Sequence, residues 1–189
     1  MPKPRDPVTK RQKILDAALE EFAAHGLSGS RIDRIAAGAG VSPGHAYSFH
    51  KGKDELFEAV YEPIVRRPRS RSRSTPRTSP GYAGLLFDVG IDHPEVTRFM
   101  AWYGFESGST TAGASAVSSL MSEKVAAVEA TQARGTVSDR FGAAETLALV
   151  LAVANMWQST GEGVSILVPA KRRRALVLEA VRRTAAPDR

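Results

Sequence analysis

The sequence predicts an all-α protein with a small N-terminal bundle and a larger C-terminal helical region. Three observations predict it. Apolar residues recur at helical spacing through most of the 189 residues. No segment carries the strict alternation of a half-buried strand, and no internal repeat is present. Ser, Pro and Gly stand where helices start and stop.

The elements follow in order. Residues 1–8, rich in Pro and basic side chains, read as a mobile arm. Thr9–His25 is the clearest helix, because Ile14, Leu15, Ala18, Leu19 and Phe22 form one stripe of a 3.6-residue period. Gly26 suits a left-handed cap at its end. Ser30 reads as the next N-cap, with Asp33 three positions on in near capping-box spacing, and Ile32, Ile35, Ala36 and Ala39 supply a short apolar stripe. Gly38-Ala39-Gly40 breaks that stripe. Ser42-Pro43 restarts a short helix to about Phe49, since proline at the first helical position gives up an N–H that has no partner there. Asp54–Val65 reads as a fourth helix, buried through Leu56, Phe57, Val60, Ile64 and Val65 and disturbed late by Pro63.

Arg66–Pro80 differs from its surroundings. It is built of Arg, Ser, Thr and Pro, and cannot pack a core. It admits three readings: a solvated linker, an additional phosphate-binding arm, or an RNA-binding arginine-serine segment. Helical spacing resumes with Tyr82, Leu85, Leu86 and Val89, then with Val96, Phe99, Met100 and Tyr103 behind a helix start at Asp92-His93-Pro94-Glu95. Ala114–Ala133 forms a further helix stopped by Gly135. Ser138 reads as the cap of a long helix from about Asp139 to Thr160, and Pro169 as the opening of a last helix to about Thr184, with Leu176, Val177, Ala180 and Val181 on its apolar side.

Composition removes several function classes. With no cysteine, a disulfide scaffold, a thiolate metal site and a cysteine nucleophile are excluded. His25, His45, His50 and His93 are scattered without carboxylate partners at metal-ligand spacing, so neither a metal nor another cofactor is expected. The most apolar segment, Leu147–Met156, is short against the roughly 20 residues a membrane span requires. No apolar stretch follows Met1-Pro2-Lys3-Pro4-Arg5, so a cytoplasmic location is expected. The formal net charge is +6. Met1–Val65 holds 9 basic and 9 acidic residues, and Gly81–Arg189 holds 11 of each. The excess therefore belongs to Arg66, Arg67, Arg69, Arg71, Arg73 and Arg77. Net charge is not what points to a nucleic acid.

Ser30–Phe57 is the informative stretch. A short helix, a tight glycine turn and a second short helix make a helix-turn-helix, whose second helix can enter a major groove about 12 Å wide. The residues Ile14-Leu15-x-Ala17-Ala18-x-x-x-Phe22-x-x-x-Gly26, then Ser30-x-Ile32-x-x-Ile35-Ala36-x-x-Ala39-Gly40-Val41-Ser42-x-Gly44-x-x-Tyr47, then Lys53-x-x-Leu56-Phe57, resemble the N-terminal domain of the TetR family of transcriptional regulators. The spacing is ungapped from about Arg11 to Phe57. His50 stands where the family usually has an aromatic, and Ala46 where it has a bulkier apolar residue. Phe49 is expected to supply the packing in place of His50.

The resemblance implies a DNA-binding domain over residues 9–57, a connecting helix and linker over 58–80, and a ligand-binding and dimerising helical domain over 81–189. It places Ser42, Pro43, Gly44, His45, Tyr47 and Ser48 on the recognition helix. Gly44 would let the backbone approach the duplex, and His45 would contact a base edge. Tyr47, Ser30 and Lys53 would bond phosphates, and Lys51 would add charge. The partner is then a double-stranded, near-palindromic operator, bound by a homodimer formed through the two C-terminal helices. For an unidentified small-molecule effector, Trp102, Tyr103, Phe105 and Trp157 are the expected apolar lining and Asn155 and Gln158 the polar contacts. The function implied is a ligand-responsive regulator, most naturally a repressor, and not an enzyme. Two rival readings stay open: an enzyme acting on a small molecule in the helical domain, and a DNA-binding dimer without ligand response. No nucleophile–base spacing and no phosphate-cradling loop behind a strand supports the first.

Overall fold

The apolar stripe of the first helix goes inward as its spacing demands: Ile14, Ala18 and Phe22 are fully buried, with Leu19 and Ala23 nearly so. The structure is a computed structural model that describes residues 7–66, 79–106, 111–159 and 162–187. Among the described residues every element is a helix: α1 (Pro7–Gly29), α2 (Ile32–Ala39), α3 (Pro43–Tyr47), α4 (Lys53–Arg66), α5 (Ser79–Asp92), α6 (Pro94–Glu106), α7 (Thr111–Ala133), α8 (Ala143–Ser159), α9 (Glu162–Leu167) and α10 (Ala170–Ala185). Residues 1–6 of the basic arm expected over 1–8, and most of the Arg/Ser/Pro run, residues 67–78, lie outside the described residues, while Pro7 and Val8 already belong to α1.

The helices group into two compact units. The first gathers α1–α4 and also α6, while the second gathers α5, α8, α9, α10 and the greater part of α7. This grouping places α6 with the N-terminal helices. The physical reason is the inner face of α6. Val96, Phe99 and Tyr103 are buried, and they complete the core begun by α1 and α4. Phe22 meets Phe57 edge-on at 4.9 Å between ring centroids, and Phe57 meets Phe99 at 5.0 Å. Tyr103 stacks on Tyr61 at 3.8 Å. A cluster of this kind gains ring–ring attraction beyond the area it buries.

Local details correct several expectations. Gly26 has a positive φ of 65° but a ψ of −177°. That is an extended backbone region open essentially to glycine alone, and not the left-handed cap expected there. Ser30 does not cap α2. Its hydroxyl is buried and donates to the Leu27 carbonyl at 2.8 Å, and the N-cap is Arg31. The Arg31 amide instead donates to Glu21 Oε1 from α1 at 2.9 Å, so a carboxylate on a neighbouring helix does the capping. Glu21 also receives Arg34 at 2.6 Å. Burial works against the charge on Glu21, yet Arg34, the Arg31 amide and His25 outweigh it and hold the carboxyl below its ordinary range. Pro63 lies inside α4 without ending it. His50 is itself buried, so the packing expected from Phe49 is supplied by His50.

In the second unit α5, α8 and α10 pack on one another around Ala83, Phe87, Val150, Ala154, Trp157, Val177 and Val181. Gly84 lets α10 come close, since a Cβ there would stand 2.9 Å from the Leu178 side chain. Arg174 grips Asp88 with two bonds of 2.8 and 2.9 Å. The long helix starts later than expected: Ser138 accepts from the Arg140 amide, and Ala143 is the first helical residue, with Glu145 reaching back to the Gly142 amide at 2.8 Å. Leu176, expected to face inward, is exposed. No helix among the described residues is long and apolar enough to cross a membrane.

Candidate nucleic-acid interface

The helix-turn-helix is built from three local devices. Gly40 closes α2 in the left-handed conformation (φ 67°, ψ 37°), which lets the Val41 amide reach the Ala36 carbonyl at 3.0 Å and its own amide reach that of Ala37 at 3.1 Å. Ser42 then caps α3, its hydroxyl accepting from the His45 amide at 3.3 Å, with Pro43 in the first turn. Ala46 is the one buried residue of α3. Its small side chain seats the helix closely on the body of the domain.

What α3 leaves outside is a polar, uncluttered face. Ser42, Pro43, Gly44, Tyr47 and Ser48 are exposed, Tyr47 to 53%. A Cβ on Gly44 would meet nothing within 4 Å. The fold itself therefore does not demand glycine there, whereas a close approach from outside would. Ser48 spends its hydroxyl on the His45 carbonyl at 2.7 Å. His45 is half-buried, edge-on to Phe49 at 5.2 Å, with Nε2 closed off and unpartnered. In this position its ring does not offer both nitrogens outward.

Two of the expected phosphate ligands are occupied otherwise. Ser30 is 3% exposed. The Lys53 ammonium donates to the carbonyls of Leu27, Ser28 and Ser30 at 2.8, 3.3 and 3.0 Å. All three N–H bonds are committed to the end of α1 and the segment after it. A lysine in the first turn of α4 is set against the helix dipole, and that mismatch was the available signal that its partner lies elsewhere. Lys51 is exposed, and its backbone amide is held by Glu55 at 2.8 Å. Sequence reasoning missed Arg31, whose exposed side chain stands at the start of α2 beside Asp33 at 3.6 Å.

The expected effector residues divide between the units. Tyr103 is core of the first unit, and its hydroxyl donates to Glu58 Oε2 at 2.7 Å. Burial, and then that bond to a carboxylate, push the phenol far above its usual range. Trp102 lies against Gly26, and Phe105 is 85% exposed. Asn155, Trp157 and Gln158 lie on α8 in the second unit. Asn155 donates to the Leu151 carbonyl at 2.8 Å, and Arg173 lies 5.2 Å over the Trp157 ring. The indole nitrogen of Trp157 and both amide atoms of Gln158 are closed off from solvent without a hydrogen-bond partner. Among the described residues no three potential metal ligands cluster.

An exposed, capped second helix of a helix-turn-helix on an aromatic core defines a DNA-binding regulator. Comparison with known proteins agrees. Residues 14–60 match the family model described as bacterial regulatory proteins, tetR family, and residues 79–183 match the tetracyclin repressor-like C-terminal domain. The chain is 36% identical to the HTH-type transcriptional repressor SCO4008 of Streptomyces coelicolor over 80% of its own length and 79% of that protein's. It is 50% identical to the regulator SrpR of Pseudomonas putida over 26% of this chain and 24% of that one. The crystal structure of transcriptional regulator SCO4942 from Streptomyces coelicolor superposes with a TM-score of 0.77, at 28% identity, covering 95% of this chain and 99% of that one. The chain belongs to the TetR family of transcriptional regulators.

Proposed function

We propose that this protein is a ligand-responsive repressor that binds a near-palindromic operator as a homodimer and is released by a small molecule. The observation that carries the DNA-reading part is the outer face of α3, where Ser42, Pro43, Gly44 and Tyr47 are exposed around a helix seated by Ala46 alone. In this reading Tyr47, Lys51 and the α3 N-terminus meet phosphates, and Gly44 admits the duplex backbone. Ser30 and Lys53 act from behind, by fixing where α2 and α4 begin. His45 reaches a base edge once its ring leaves Phe49.

The repressor reading is supported by the likeness to SCO4008, described as a repressor. The dimer reading is supported by exposed apolar residues on the two C-terminal long helices, Ala148, Leu149 and Ala152 on α8 and Ala175 and Leu176 on α10. Two-fold pairing there gives each dimer two recognition helices, suited to half-sites about one helical turn apart. The effector reading is supported by the unpartnered polar atoms of Trp157 and Gln158, which a bound molecule with a complementary acceptor and donor would satisfy. Such a ligand regulates only through its different affinity for two states of the dimer.

Selection of bound duplexes from a random DNA pool tests the proposal. Enrichment of an inverted repeat is the expected result. Enrichment of an asymmetric single site would overturn the dimeric operator, and no enrichment would overturn sequence-specific reading altogether.

A further inference from the structure

The last residue of α6, Glu106, reaches back to the end of α1, just past its kink at Gly26. Its Oε2 accepts from the Leu27 amide at 2.6 Å and its Oε1 from the Ser28 amide at 3.3 Å. One turn earlier on α6, the Trp102 ring lies against Gly26, so close that a Cβ there would stand 2.9 Å from it. The carbonyls of the same two residues, Leu27 and Ser28, receive the Lys53 ammonium from α4, which also takes that of Ser30. A carboxylate thus holds the N–H side of this segment, and an ammonium holds its C=O side. Bonds to charged groups are the shorter and stronger kind.

The placement matters because of what this segment borders. Residues 27–30 lead directly into the Arg31 cap of α2, and Lys53 is the first residue of α4, directly after the loop that leaves α3. Both ends of the helix-turn-helix are therefore pinned to the same four residues. Those residues are in turn fixed to α6 through Glu106.

We propose that Glu106 is a positioning residue for operator recognition: it sets the angle at which α3 is presented without itself touching DNA. Its side chain acts through the Leu27 and Ser28 amides, and Lys53 carries the constraint to the other end of the motif. The proposal needs only sequence-specific binding, so it stands independently of the dimeric and ligand-responsive reading.

The test uses the full chain, its preferred duplex from pool selection, and an unrelated duplex of equal length. Glu106→Ala should weaken binding to the preferred duplex about tenfold or more, the scale of a lost charge-assisted hydrogen bond. Binding to the unrelated duplex should be unchanged, because that binding depends on phosphate attraction and not on aim. Glu106→Gln, which keeps one acceptor oxygen for the Leu27 amide, should fall between the two. Loss of a negative charge alone would tighten both duplexes together, and loss of folded protein would weaken both together. Tightening of both overturns the assignment, as does unchanged affinity for the preferred duplex, or equal weakening of both in a variant that is folded. Circular dichroism reports whether Glu106→Ala folds. If it does not, Glu106→Gln carries the test, and unchanged preference in that variant overturns the proposal.

Discussion

At the scale of single residues, side chains expected to meet phosphates or an effector hold the protein's own structure. Lys53 closes the end of α1, Ser30 is buried behind it, and Tyr103 stacks in the aromatic core with its hydroxyl on Glu58. His50 shows the same inward turn and carries a consequence for pH. It is buried, its Nε2 has no partner, and burial followed by the nearby Arg11 lowers its pKa from 6.5, against a smaller opposing pull from Glu55. The native state therefore resists a proton that the unfolded chain accepts. Stability from the neutral ring is fully present above pH 6.5 and is lost as pH falls from there through the folded value. The thermal midpoint should drop between pH 7 and pH 5, and His50→Phe should flatten that drop. An equal drop in the variant would show that other groups govern it. None of this was legible from residue type. A serine or a lysine near a helix-turn-helix looks the same whether it faces inward or outward, and a tyrosine on an apolar stripe suits an effector lining as well as a core.

At the scale of elements, sequence did better, because caps and periodicity are local. The Ser42-Pro43 start of α3, the glycine stop at Gly40 and the inward stripe of α1 all stand where the spacing puts them. Failures came where a cap depends on another helix: Glu21 of α1 caps α2, a role no window around Ser30 could reveal. The short α9 was also missed, having too few residues for a period to register. The recognition helix supplies the prediction at this scale. Tyr47 is exposed and makes no part of the core. Tyr47→Ala should therefore weaken DNA binding by about 1.5–3 kcal/mol, the size of a lost hydrogen bond to a charged group, while leaving the thermal midpoint within a degree or two. Gel-shift titration beside thermal unfolding separates the two effects. A variant that unfolds early would assign Tyr47 to the fold.

For the whole molecule, the proposed dimer turns on which apolar surface would meet a second copy. Leu149 on α8 is 36% exposed and is the natural probe. Leu149→Asp should convert dimer to monomer in light scattering and abolish tight operator binding, with helicity retained. Each half-site would then be held singly, without the gain that comes from linking two binding events. A dimer of unchanged mass would move the interface elsewhere.

The sequence by itself determined the helical class, the order of the longer helices and the helix-turn-helix with its family. Those follow from spacing along one chain, where each residue's neighbours are known in advance. Tertiary structure alone decided that α6 joins the first unit, through Phe99, Tyr103, Trp102 and Glu106. It also decided that Lys53 and Ser30 serve the scaffold. Apart from the Ser30 hydroxyl, which bonds Leu27 three residues back, those outcomes depend on partners 20 to 80 residues away, and a buried polar group takes whichever partner the packing brings within reach.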